Sequence, residues 1–136
     1  MFGPNDIRTN SGSALNVFAP DPEQILIEDI AHALANMPRF AGHTPNFYSV
    51  GQHSVMCATA LKKTNPELVL DALLHDASEA YLLDMPAPIK KGLPDYLAAE
   101  ESLVKCIAQK FKLSHPLPDL VKQIDEDLVN FEWNWI

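Results

Sequence analysis

The chain holds 136 residues, 47% of them apolar, with 10 lysines and arginines against 18 aspartates and glutamates, a formal charge of −8. That is the length of one ordinary domain, 1–136, with the apolar content of a chain that builds a core. The charge opposes a nucleic-acid polymer as partner, because such affinity is built from basic side chains at phosphates. It does not oppose a single nucleotide, since a bound cation and a few local basic groups reverse the field inside a pocket.

No apolar run is long enough to span a bilayer, and Met1 to Asn10 lacks the basic-then-apolar build of a secretory leader. A cytoplasmic protein with no membrane partner is the expectation. Cys57 and Cys106 form neither a disulfide framework nor a zinc-binding spacing, and they read as buried free thiols.

Residues 1–20, with Gly3, Pro4, Gly12 and Pro20, read as an irregular arm. Asp21-Pro22 has the form of an N-cap with proline at the first helical position. Ile27, Ile30, Ala31 and Leu34 follow at helical spacing, and Pro38 stops the helix. Residues 38–48 form a loop. A second helix runs from about Ser49 to Lys62. A third starts at Asn65-Pro66 and carries Leu68, Ala72, His75 and Glu79 on one stripe. The prolines from Asp84 to Pro94 make a loop. A helix from about Leu93 to Phe111 follows, then a stop at Ser114-His115-Pro116. The last helix begins near Pro118, with Val121, Ile124 and Leu128 on its buried face. Nothing alternates with period two, so the chain reads as all-α with about five main helices.

Polar, metal-competent side chains stand where core residues belong. His75 faces inward with Leu68 and Ala72, Asp76 adjoins it, and Glu79 lies one turn further on. His53 shares its helix face with Val50, Cys57 and Leu61, and Asp125 interrupts the face of Val121, Ile124 and Leu128. Taken alone, the His75-Asp76 pair and His53 read more readily as hydrogen-bonded core residues, and Asp125 reads equally as a cap or salt-bridge partner. Three helices each turning an unexplained polar group inward are accounted for together by one divalent cation, which offsets the cost of burying acids among leucines.

The order His53, then His75-Asp76, then Asp125 resembles the H…HD…D signature of the HD superfamily of metal-dependent phosphohydrolases. The resemblance covers nearly the whole chain and includes Arg39-Phe40, Tyr48-Ser49-Val50-Gly51-Gln52-His53-Ser54, His75-Asp76-Ala77-Ser78-Glu79 and Asp84-Met85-Pro86-Ala87-Pro88-Ile89-Lys90. It implies a compact HD-domain helical bundle. Two compact branches are similar, bacterial 5′-deoxynucleotidases and phage triphosphohydrolases acting on deoxyadenosine triphosphate. The short length, the helix Ile30-Ala31-His32-Ala33-Leu34 and the loop Arg39-Phe40-x-Gly42-His43-Thr44 look closer to the phage branch, whose members act in the host cytoplasm.

By this resemblance, His53, His75, Asp76 and Asp125 hold a divalent metal (zinc, cobalt, manganese or magnesium). Glu79 positions or deprotonates the attacking water. Arg39, Lys90 and Lys122 bind substrate phosphates, Asp84 lies near the sugar, and Phe40 packs on the nucleoside. The implied activity is dATP-preferring triphosphohydrolysis, releasing deoxynucleoside and triphosphate. The alternatives are a 5′-deoxynucleotidase acting on monophosphates and a non-catalytic HD-like nucleotide-binding module. The aromatics of Phe131-Glu132-Trp133-Asn134-Trp135-Ile136, and the resemblance to families that form dimers or hexamers, point to a homo-oligomer.

Overall fold

The computed structural model describes residues 3–135; Met1, Phe2 and Ile136, which belong to the expected arm and C-terminal tail, lie outside the described residues. An antiparallel hairpin, β1 (Asp6–Arg8) and β2 (Ala14–Asn16), stands where the sequence predicts an irregular arm. Three-residue strands are too short to show alternation, so the pattern carries no signal there. Ser11 donates from its backbone N and its Oγ to the two carboxylate oxygens of Asp29, each at 2.7 Å, and Leu15 enters the core.

Asp21 does cap, its Oδ1 accepting from Glu23 N at 3.0 Å, but it caps a 3-10 turn, Pro22–Gln24. Ile25 then runs extended and is completely buried, and α1 (Ile27–Asn36) begins only after Leu26. The second helix, α2 (Val50–Leu61), opens with a capping box: Ser49 Oγ accepts from Gln52 N, and Gln52 Oε1 accepts from Ser49 N. A Cβ on Gly51 would lie 3.2 Å from the Leu34 backbone, so α1 and α2 cross closely at this residue.

The predicted third helix is not continuous. A 3-10 turn, Pro66–Leu68, leads into α3 (Val69–Leu73); residues 74–78 unwind into turns, and α4 (Glu79–Leu82) follows. One helical turn, α5 (Ala87–Lys90), lies within the predicted loop. The long helices α6 (Pro94–Phe111) and α7 (Asp119–Trp135) complete the chain. Ser114, between them, donates from N and Oγ to the Asp71 carboxylate at 2.8 and 2.9 Å, tying that linker to α3.

The fold is all-α, seven helices with one short hairpin among the described residues. One core cluster gathers Leu15, Ile30, Leu34, Val50, Leu103 and Ile107; a second gathers Cys57, Leu61, Ala72 and Val121. The α2 helix contributes to both, which puts His53 between them along the helix. No helix of the described residues is long and apolar enough to cross a membrane.

Candidate metal centre

Three segments converge on one point. His53 Nε2 lies 2.7 Å from Asp125 Oδ1 and 3.8 Å from Asp76 Oδ2, and His75 Nε2 lies 3.1 Å from Asp76 Oδ2 and 3.4 Å from Asp125 Oδ1. The break after α3 makes this possible. On a continuous helix, neighbours such as His75 and Asp76 diverge by about 100°. Unwinding at 74–78 turns both side chains toward α2 and α7. The histidines are buried, with side chains 0% and 3% exposed, while Asp76 and Asp125 are 22% and 36% exposed. The histidines therefore form the back of the site and the aspartates its mouth.

Hydrogen bonding fixes which ring nitrogens face inward. His75 Nδ1 is 2.6 Å from the Ala72 carbonyl, which can only accept, so Nδ1 carries the proton. His53 Nδ1 likewise donates to the Glu132 carboxylate at 3.0 and 3.1 Å. Each neutral ring then presents a lone pair on Nε2 to carboxylate oxygens, and His75 Nε2 is buried without a hydrogen-bond partner. Without a cation the conflict is met by protons. Burial works against charge on His53, yet bonding to Asp125, Cys57 and Glu132 outweighs it and raises the pKa to about 10. His75 is likewise raised despite burial, chiefly by the charge of Asp76, and the histidines hold Asp125 well below the usual carboxylate range against its own burial.

A divalent ion resolves the same conflict. Ligand atoms about 2.0–2.2 Å from a shared ion stand roughly 2.9 Å apart at a right angle and 3.4 Å apart at a tetrahedral angle. The observed separations, 2.7–3.8 Å, bracket that range, so His53, His75, Asp76 and Asp125 fit a metal.

Glu132 was not singled out in the sequence. It is completely buried, accepts from His53 Nδ1, and pairs with Arg39 Nε at 3.2 Å. Its pKa is lowered: burial opposes this, but the hydrogen bonds of His53 and Tyr48 and the charges of His53 and Arg39 prevail. Carboxylates that receive the second ring proton of a metal-binding histidine fix its tautomer and orientation. The spacing Val121, Asp125, Leu128, Glu132 follows one helix face, and that periodicity was the available signal.

Glu79 is buried at the start of α4 with Oε2 unpartnered. Burial first, then the adjacent Asp76 and Asp84, push its pKa up to about 12. Asp84 thus faces Glu79. Arg39 is buried, its guanidinium 4.8 Å from the Phe40 ring, and Phe40 packs on Trp133 with ring centroids 4.3 Å apart. Lys90 pairs with Glu100 at 2.9 Å. Lys122 is exposed on α7 and enters no ion pair or side-chain hydrogen bond among the described residues. The structure therefore gathers the four expected ligands with Glu79, Asp84 and Arg39, while it holds Lys90 on a neighbouring acid and leaves Lys122 in solvent. Both cysteines are buried and free as expected, but Cys57 Sγ lies 3.6 Å from His53 Nε2, a position the sequence reading did not give it.

The chain is 42% identical over 119 residues to the uncharacterized protein YfdR of Escherichia coli, a match covering 88% of this chain and 65% of that protein. It is 37% identical over 123 residues to an uncharacterized protein of Rhodobacter capsulatus, covering 85% of this chain and 63% of the relative. The chain thus spans somewhat under two thirds of each relative's length. No protein-family model matches it. A cavity of about 610 Å³ lies away from the metal-competent cluster, between α1 and α2, lined by Ile27, Leu34, Val55, Leu73 and Trp135 with no charged side chain. It is lined by no His, Cys, Asp or Glu, the residue types that make up the metal-competent cluster.

Proposed function

We propose that the chain is a divalent-metal-dependent phosphohydrolase of nucleotides, belonging to the HD superfamily. The observation that carries this reading is the meeting of His53, His75, Asp76 and Asp125 from three segments, with the buried Nε2 of His75 close to both carboxylates but in hydrogen-bond geometry with neither. A bound divalent ion there would supply Lewis acidity, neutralising phosphoryl charge and lowering the pKa of water. The chain's own groups supply the rest. Glu79 is buried beside Asp76 with Oε2 unpartnered, and in its carboxylate form, which a neighbouring divalent ion would favour by offsetting the charge of Asp76, it would accept a proton of the attacking water. Arg39, fixed through Nε by Glu132, keeps its terminal nitrogens for phosphate oxygens.

Within this class the substrate proposed is dATP, cleaved to deoxynucleoside and triphosphate, with Phe40 against the nucleoside, Asp84 near the sugar, and Lys90 and Lys122 along the phosphates. This assignment rests on the motif resemblance. A second reading, a 5′-deoxynucleotidase, is favoured by the placement of Arg39 alone, among the three expected cations, in a buried position at the site. The exposed Phe131, Trp133 and Trp135 support a homo-oligomer, dimer or hexamer, which sedimentation would test.

The deciding experiment measures bound metal together with phosphate and triphosphate release from dATP and dAMP. Metal-dependent hydrolysis of either, lost on chelation and restored by zinc, cobalt or manganese, supports the class. Full activity after chelation defeats it. Bound metal with no turnover on a nucleotide panel would make the chain a non-catalytic binding module.

A further inference from the structure

Cys57 follows His53 by four residues on α2, so both side chains leave the same face one turn apart. It is completely buried and packs with Leu61, Ala72 and Val121, which by itself describes a core thiol. Its sulfur does more than fill space. Sγ lies 3.6 Å from His53 Nε2, the nitrogen that faces Asp125. Ligand atoms of His53, Cys57, His75 and Asp125 all lie within 4.8 Å of one another. A sulfur about 2.3 Å and a nitrogen about 2.05 Å from one ion stand about 3.1 Å apart at 90° and about 3.8 Å apart at 120°, the angles a five-coordinate ion offers. The observed separation lies between the two. The buried Nε2 of His75, 3.1 Å from Asp76 Oδ2 but in hydrogen-bond geometry with no acceptor, faces the same space, where a cation would give it a partner.

We propose that the Cys57 thiolate is a further ligand of this metal, joining His53, His75, Asp76 and Asp125, and that it selects a thiophilic ion such as zinc or cobalt over magnesium or manganese. The inference rests on the metal reading above and adds to it. Sulfur is a poor ligand for hard ions and a good one for borderline ions, so the thiol sets metal preference where imidazole and carboxylate admit several. Binding displaces the thiol proton to solvent, and no oxidant or reductant is needed.

The test is the absorption spectrum of the reduced full chain titrated with cobalt(II). Thiolate ligation gives a near-ultraviolet sulfur-to-cobalt charge-transfer band that imidazole and carboxylate do not produce, while visible d–d bands report binding by any ligand set. The expected result is both sets of bands in the unaltered chain and in Cys106→Ala. Cys57→Ala should lose the charge-transfer band, keep the visible bands, and lower the preference for zinc over manganese by about tenfold or more. If Cys57→Ala fails to fold, the unaltered chain and Cys106→Ala still decide. Visible bands with no charge-transfer band would overturn the proposal and leave the metal site standing. Absence of both would overturn the metal reading as well.

Discussion

Replacing Glu132 with glutamine tests whether the centre is built around its histidine. The side chain is completely buried and accepts from His53 Nδ1 at 3.0 Å and from Arg39 Nε at 3.2 Å. Glutamine keeps the volume but offers one acceptor oxygen, and it turns an amide NH₂ toward a donor. His53 then loses the partner that fixes its tautomer, so Nε2 no longer presents its lone pair reliably. Loss of such an outer partner costs about 10- to 100-fold in metal affinity, or about 1.4–2.8 kcal/mol. Glu132→Ala goes further, because it strands a buried guanidinium, and breaking a buried pair from one side costs about 3–5 kcal/mol of stability. Metal affinity is read by competition against a chromophoric chelator and stability by urea unfolding of the metal-free chain. The reasoning fails if Glu132→Gln binds zinc within twofold of the unaltered chain, since Glu132 would then brace Arg39 without orienting His53.

Glu79→Gln should keep metal and nucleotide binding while lowering turnover by about a hundredfold or more; metal loss from a folded variant would make Glu79 a ligand. Lys122→Ala should lower dATP turnover about tenfold, the worth of one solvent-screened contact to phosphate, and leave dAMP untouched. Indifference for both nucleotides, with dAMP the better substrate, would assign the monophosphate. Asp29→Asn should cost about 1–3 kcal/mol, because the carboxylate receives two hydrogen bonds from Ser11. Burial opposes ionisation of Asp29, but those bonds lower its pKa below 3.8. Its contribution is therefore present above pH 3.8 and is lost as pH falls through the folded value. Melting curves of chain and variant should differ by a constant amount near neutrality and converge in acid; a gap widening in acid would contradict the assignment.

The long helices were legible because their signals are local. The stripe Val121, Ile124, Leu128 announces α7 from a few neighbouring residues, and the capping box that the structure shows at the start of α2, Ser49 with Gln52, is as local. The hairpin was not legible, because three-residue strands are held by Ser11 reaching Asp29, a pairing 18 residues apart. The break at 74–78 was hidden for a different reason. Leu68, Ala72, His75 and Glu79 fit a helical stripe, and only the convergence of His75 and Asp76 on α2 and α7 gives the unwound turn its partners. The inward polar groups were legible as misfits in apolar faces. Glu132 was concealed by its setting among Phe131, Trp133 and Trp135, where a chain-end acid reads as solvated. Cys57 was concealed because a cysteine on an apolar helix face reads as core.

Glu132 also links the metal-competent cluster to the loop proposed to meet substrate. Phe40 and Ala41 adopt φ of 56° and 53°, the left-handed region that costs an ordinary residue about 1–2 kcal/mol. Such strain persists only where surrounding contacts over-determine it. Here the loop is closed at its base by Arg39 N donating to Tyr48 O at 2.8 Å and Val50 N to Met37 O at 2.9 Å. Directly after that closure the Arg39 side chain turns inward to Glu132 while the Phe40 ring lies on Trp133. Consecutive residues of α7 thus hold consecutive residues of the loop. Because Glu132 also receives the His53 proton, one carboxylate positions a metal ligand and the arginine proposed to meet phosphate. A change at Glu132 should accordingly alter metal affinity and nucleotide KM together, whereas Trp133→Ala, which touches only the Phe40 side, should raise nucleotide KM and leave metal affinity unchanged.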